Sequence, residues 1–211
     1  MKPRLGTNRS LASKSRFPKR NTKLFVIAVE GEATENLYFK TCVARRNSRV
    51  SIEVLPTKDH KTSPENILKR LRKRYDEDFI ENQRNQNDEF WLVVDVDDWK
   101  NLPEVLNQTE NAGFQHAVSN PNFEVWLALY SPNFQNTPKE RQRLKTRPES
   151  IIAEHINAGY QKSRLNPTHY KDHEAAIKNA QTLDRNPDAQ IPEAPGTRVY
   201  RLVQAILKNA D

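Results

Sequence analysis

Apolar residues fall into short continuous runs, separated by stretches in which they recur every three or four positions. This alternation predicts strands interleaved with helices. Leu24–Val29 is an unbroken apolar run, the mark of a strand covered on both faces. From Thr34 to about Arg46, Leu37, Tyr38, Thr41 and Cys42 take helical spacing. Val50, Ile52 and Val54 alternate with polar residues, which predicts a strand nearer the sheet edge. Ser63 and Pro64 open a helix whose inward stripe is Ile67, Leu71, Tyr75 and Phe79. Lys69, Arg70, Arg72, Lys73 and Arg74 crowd its remaining face, either solvated or open to phosphate.

Phe90–Val94 is a third strand, Pro103 to Ala112 a short helix stopped by Gly113, and Phe114–Val118 a fourth strand. Ser119-Asn-Pro121 starts the next helix, with Ser119 or Asn120 as its N-cap and Phe123, Trp126, Leu127 and Tyr130 inward. This order implies an α/β fold with a parallel sheet, right-handed crossovers and helices on both faces. Beyond Ser131 the character changes. Asn133–Arg147 is polar and basic, and Pro148 opens a helix to about Asn157. A helix over His173–Leu183, a proline-containing loop over Asp184–Gly196 and an amphipathic helix over Thr197–Lys208 complete the chain. The expected organisation is a basic flexible tail (1–23), an α/β core (24–131) and a helical extension packed on the core (132–211).

Charge sharpens that division. The 211 residues carry a net charge of +7, yet residues 1–23 hold eight basic residues and no acid, which leaves the rest of the chain at −1. The excess is therefore a tail. Within it Lys14, Arg16, Lys19 and Arg20 are candidate contacts to nucleic acid, held by counterion release. A solubilising leader has the same composition. No apolar run approaches the ~20 residues that span a bilayer, and the start has no signal-peptide pattern. A single cysteine, Cys42, excludes an internal disulfide or a cysteine zinc cluster, and a reducing, cytoplasmic setting is expected.

The candidate chemistry lies at strand ends, where open parallel sheets gather their ligands. Strand one ends in Glu30, with Glu32 and Glu35 close behind, and strand three ends in Asp95, Asp97 and Asp98. Asp95 and Asp97 lie two apart, on one side of extended backbone. Like charges that close need compensation, and a hard divalent cation such as Mg²⁺ or Mn²⁺ supplies it. The bland alternative is a solvated acidic turn, with Glu32 and Glu35 simply favoured by a helix dipole. Glu124 sits near the same rim, in the first turn of its helix, as a further ligand or a group that positions water. His169 and His173 have no zinc motif around them and read as surface residues. There is no GxGxxG and no GKS or GKT, so nucleotide binding through a glycine loop is unsupported.

Three segments together carry a resemblance: Val29-Glu-Gly-Glu-Ala-Thr-Glu-Asn-Leu-Tyr-Phe39, Asp95-Val-Asp97 and Ser119-Asn-Pro-Asn-Phe-Glu-Val-Trp126. The chain resembles the RloB-like proteins, the abortive-infection group that includes AbiLii, whose members are similar to Toprim domains. The likeness spans about residues 24–209 and includes Tyr170-Lys171 and Thr197-Arg-Val199. It implies a Toprim-like parallel β-sheet flanked by helices, with a helical C-terminal extension, and a Mg²⁺- or Mn²⁺-dependent endonuclease. By correspondence Glu30, Asp95 and Asp97 hold the metal, Glu35 is the second acid of the EGxxTE signature, and Glu124 is the acid of SNPxFExW. Glu30 would move protons. Lys171 matches, more loosely, a lysine that OLD-type nucleases place in the site, where it would stabilise developing phosphate charge. The resemblance further implies an ABC-type ATPase partner, a role as an anti-phage effector, and tRNA or DNA as substrate. The long basic leader departs from the pattern.

Two other classes stay open on the residues alone. One is a receiver-like signalling module, which also places acids after strands one and three. The other is a non-catalytic nucleic-acid-binding subunit acting through the basic tail.

Overall fold

In β1 (Lys23–Val29) and β3 (Glu89–Asp95) both side-chain sets are apolar, so both faces must be covered. The computed structural model describes residues 22–43, 49–55, 57, 61–80 and 85–210. Lys14, Arg16, Lys19 and Arg20 lie outside the described residues. Lys23, expected in the tail, is the first residue of β1, and its ammonium pairs with Glu89 at 2.6 Å.

The strands run in the order β2-β1-β3-β4-β5, with β2 at Val50–Leu55, β4 at Gln115–Asn120 and β5 at Gly196–Thr197. The first four are mutually parallel, and β2 is an edge strand as its alternation predicts. β5 pairs antiparallel to β4, through Ser119–Thr197 and Asn120–Gly196, so the sheet is mixed. A two-residue strand leaves no periodicity to read. Its place is fixed by tertiary contacts, including a hydrogen bond of 2.9 Å between the buried Ser119 and Thr197 hydroxyls.

One face of the sheet (Leu24, Val26, Ala28, Phe90, Leu92, Val94 and Val118) packs on α2 (Pro64–Ile80) and α3 (Leu102–Asn111). Within α2, Ile67 and Leu71 are buried as the stripe predicts, while the Phe79 side chain lies outside the described residues. The basic face of α2 is largely committed to the protein itself. Arg74 makes a two-pronged contact with Glu53 at 2.9 and 3.0 Å and reaches Asp78 at 2.6 Å. Arg70 donates to the Val29 carbonyl and Thr57 hydroxyl, and Lys73 pairs with Glu77.

The other face, led by Phe25, Ile27, Val29, Trp91 and Val93, is covered by the π-helical turn that continues the first helix and by the later α-helices. The first helix is α1 (Thr34–Leu37), and the later ones on this face are α4 (Glu124–Ala128), α5 (Pro138–Thr146), α6 (Pro148–His155), α7 (His173–Leu183) and α8 (Val199–Ala210). The helix expected from Thr34 to about Arg46 is α-helical for one turn and continues as a π-helix over Tyr38–Val43, with residues 44–46 outside the described set. The wider turn buries Tyr38, Phe39, Cys42 and Val43 together. Tyr38 meets Phe39, Phe123, Trp126, Tyr130 and Tyr170 edge-on, an arrangement aromatic quadrupoles favour.

Three further expectations change. Ser119 and Asn120 belong to β4 rather than capping a helix, and α4 begins only at Glu124. Pairing with β5 claims the Ser119 hydroxyl, and Asn120 donates to the Pro192 carbonyl. α5 forms within Asn133–Arg147, a stretch that shows only polar and basic character in sequence. Its signal was Thr137-Pro-Lys-Glu140, a capping-box spacing in which the Thr137 hydroxyl accepts from the Glu140 N–H at 3.2 Å. His173 is half-buried, its Nδ1 2.6 Å from the Tyr130 hydroxyl, whereas His169 is exposed as expected.

The segment between α7 and β5 is held by an interior ion pair. Arg198 is buried and contacts Asp184 through Nε and Nη2, while the carbonyls of Asn186, Ala189 and Gln190 take its other N–H groups. A buried guanidinium persists only when so fully satisfied. The whole is the expected α/β arrangement, a mostly parallel sheet flanked by helices with further C-terminal helices, consistent with a Toprim-like architecture.

Candidate functional site

Parallel pairing puts the carboxyl ends of β1, β3 and β4 on one edge. Glu30 lies one residue beyond the Val29–Val93 pair, and Asp95 is level with Ser119. The Glu30 carboxylate bends across to β3 and accepts the Asp95 N–H at 3.0 Å through Oε2. Glu35, in α1, is buried and turned back on the chain, where the Gly31 N–H donates to its Oε1 at 2.9 Å. A Cβ at Gly31 would overlap the Glu35 carboxylate, so any larger residue there must displace that side chain.

Glu124 enters from the opposite side, in the first turn of α4, and is only 3% exposed. Its Oε1 accepts from the Tyr160 hydroxyl at 3.3 Å and meets the Lys162 ammonium at 3.1 Å. The loop carrying these two residues is pinned over the rim by the Thr34 hydroxyl, which donates to the Lys162 carbonyl at 2.9 Å. Packing fixes both helices. Tyr38, one turn after Glu35, stacks edge-on against Trp126, two residues after Glu124.

These carboxyls feel one another. Burial pushes Glu30 up to about 7, with Asp97 and Glu35 adding to the rise and the Asp95 N–H opposing it. Burial also carries Asp95 well above the usual carboxylate range, reinforced by Glu35, Glu30 and Glu124, against a hydrogen bond from the Phe123 N–H. Glu35 is raised chiefly by burial and then by Glu124, while the Gly31 N–H and Lys162 pull it down. For Lys162, burial disfavours the ammonium, but Glu124, Glu149 and Asp95 outweigh it and leave the pKa raised. Burial and mutual repulsion thus favour the protonated forms of Glu30, Glu35 and Asp95.

The structure therefore brings Glu30, Glu35, Asp95 and Glu124 into one electrostatic group, with Asp97 acting on Glu30 from an exposed position. Asp98 is exposed as well. Lys171 is exposed ahead of α7, and among the described residues it makes no hydrogen bond or ion pair with the rim acids. Among the described residues the cation paired with a rim acid is Lys162, a residue no sequence pattern singles out. Lys162 sits in a polar stretch without periodicity and meets an acid far away in the chain, so no local pattern marks it.

All of the rim donors are carboxylate oxygens, the kind Mg²⁺ and Mn²⁺ take. Among the described residues, however, no three His, Cys, Asp or Glu side chains are already arranged to hold a metal ion. Among the same residues no helix is long and apolar enough to cross a membrane.

No curated protein and no solved structure matches the chain. One family does, under the description RloB-like protein, over residues 25–206. That range runs from β1 into α8 and takes in every rim residue described above, and on it the chain belongs to the RloB-like family.

Proposed function

We propose that this protein is a metal-dependent nuclease whose site is the carboxylate rim, acting as an effector in an anti-phage abortive-infection system. The observation that carries the reading is the convergence of Glu30, Glu35, Asp95 and Glu124, from two strand ends and two helix starts, with burial opposing the ionisation of Glu30, Glu35 and Asp95. Such a cluster is costly as mere scaffolding. Glu30, Asp95, Asp97 and Glu124 would hold Mg²⁺ or Mn²⁺, with Glu35 in support. Such an ion supplies a water of lowered pKa and charge stabilisation at the phosphodiester.

The remaining roles belong to the chain. Glu30, poised near 7, exchanges a proton at its carboxylate around neutral pH. Lys162 orients the Glu124 carboxylate. Lys171, exposed beside the C-terminal helices, is proposed to reach the phosphate only once substrate is bound. The substrate would be tRNA or DNA, the basic segment with Lys14, Arg16, Lys19 and Arg20 would add affinity, and an ABC-type ATPase would be the partner.

The test is cleavage of total tRNA and of plasmid DNA, side by side, with Mg²⁺ or Mn²⁺. Wild type is compared with the Asp95→Ala, Asp97→Ala protein. Metal-dependent cutting that the double variant loses supports the nuclease. One observation favours a non-catalytic reading: the Lys162–Glu124 pair and the raised carboxyls already balance part of the rim's charge. That reading gains if neither protein cuts and calorimetry detects no Mn²⁺ bound to wild type.

A further inference from the structure

A second charged feature lies apart from the acidic rim. Along α5, Pro138, Arg141, Gln142 and Lys145 recur at positions i, i+3, i+4 and i+7 and so share one helix face. That face fronts Arg185 and Pro195 across a cavity of about 290 Å³. Three cations and no acid line it among the described residues. Among the described residues, none of the three has a carboxylate within ion-pair distance, and Arg141 Nη1 is buried with no hydrogen-bond partner. The same helix shows what a structural arginine looks like. Arg143, two residues on, is paired with Glu154 at 2.6 Å and Glu140 at 3.6 Å. Like charges left unneutralised around a cavity, with one guanidinium N–H buried and unsatisfied, cost free energy that an anion recovers.

The location is informative. Pro195 directly precedes Gly196, which pairs with Asn120, the last residue of β4. Asp95 pairs with Ser119, one residue earlier in the same strand. The cavity thus opens beyond the carboxyl end of the sheet, the edge that carries the acids, about two strand spacings (~10 Å) from β3. Among the described residues no aromatic lines it, so they offer phosphate contacts and no surface for stacking a base.

We propose that Arg141, Lys145 and Arg185 form a phosphate-binding subsite that grips the backbone of a nucleic-acid strand lying across the sheet edge, without reading its sequence. The choice of ligand rests on the nuclease reading above; the binding itself needs neither metal nor catalysis. The subsite would hold the strand beside the acids, and the buried Asp184–Arg198 pair fixes the loop that presents Arg185.

The experiment is fluorescence anisotropy of a labelled single-stranded RNA in EDTA across a salt series, with the full chain. The variant is Lys145→Glu with Arg185→Glu, both exposed residues. The equal-charge control is Lys69→Glu with Lys73→Glu, on the opposite face of the sheet. The variant is expected to bind at least about tenfold more weakly than the control, with a salt dependence shallower by about 1.4, the release expected from two single-strand phosphates. Affinity within about twofold of the control overturns the subsite. Arg141→Gln is a second variant, checked for folding by circular dichroism, and is expected to weaken binding in the same direction. Asp95→Asn, measured in parallel, is expected to bind like wild type while losing cleavage. An Asp95→Asn protein that still cuts sinks the nuclease site and leaves the subsite standing.

Discussion

The backbone N–H of Asp95 is bonded to the side chain of Glu30, so the end of β3 is tied to the carboxylate that ends β1. That hydrogen bond favours the ionised form, yet burial wins and Glu30 sits near 7 against an ordinary 4.5. The folded state therefore holds this proton more tightly than the unfolded chain. Its contribution to stability is complete below about pH 4.5 and is lost as pH rises through about 7. Glu30→Gln keeps an acceptor for the Asp95 N–H and removes the titration. In EDTA the variant should gain on wild type as pH rises from 5 to 8, by about 1–3 kcal/mol after solvent screening. Urea unfolding at each pH measures this, and a difference that does not change with pH would rule out the assignment.

Metal binding should follow the same protons. A cation entering the rim must displace them, so Mn²⁺ affinity by calorimetry should rise between pH 6 and pH 8 by about tenfold. Glu30→Gln should flatten that rise. Equal affinity at both pH values would separate Glu30 from the metal.

Gly31 is held by sterics rather than by backbone conformation. In Gly31→Ala the new methyl group displaces the Glu35 carboxylate, which is buried and has little room to move. The expected cost is about 1–3 kcal/mol in denaturant unfolding. Glu35→Ala should remove most of that penalty in the double variant, because the group being struck is gone. An additive double variant would show that the strain lies elsewhere.

Lys162 is more than half exposed, so its pairing with Glu124 should contribute modestly, about 1 kcal/mol. Lys162→Met is expected to destabilise by that amount at pH 8. In a Glu124→Gln background the same substitution should cost nearly nothing. The coupling energy from this double-mutant cycle is the readout, and a value of zero removes Lys162 from the rim's electrostatics.

Arg198 presents the opposite case, an ion pair in the interior. Arg198→Met leaves Asp184 buried with Tyr200 and Arg201 as its side-chain partners among the described residues, and strands the carbonyls of Ala189 and Gln190. The expected destabilisation is about 3–5 kcal/mol, seen as a lower urea midpoint. A loss under about 1 kcal/mol would mean that the loop between α7 and β5 holds itself.

The sequence by itself determined the main elements and their order, because strands covered on both faces and helices with a single apolar stripe leave periodic marks. β1, β3 and α2 were legible for that reason, and so were the acids that end the strands. Whether those acids meet was decided only by tertiary structure, since it takes the β1–β3 register to lay Glu30 against Asp95 and the aromatic packing around Tyr38 to turn Glu35 toward Glu124. β5, Lys162 and the Arg198 anchor left no local pattern, because each gains its stability from groups far away in the chain. The same physics divides the basic residues. Composition counts charges, but only packing shows that Arg70 and Arg74 are engaged by the fold while Arg141, Lys145 and Arg185 stand around a cavity without a counter-ion among the described residues.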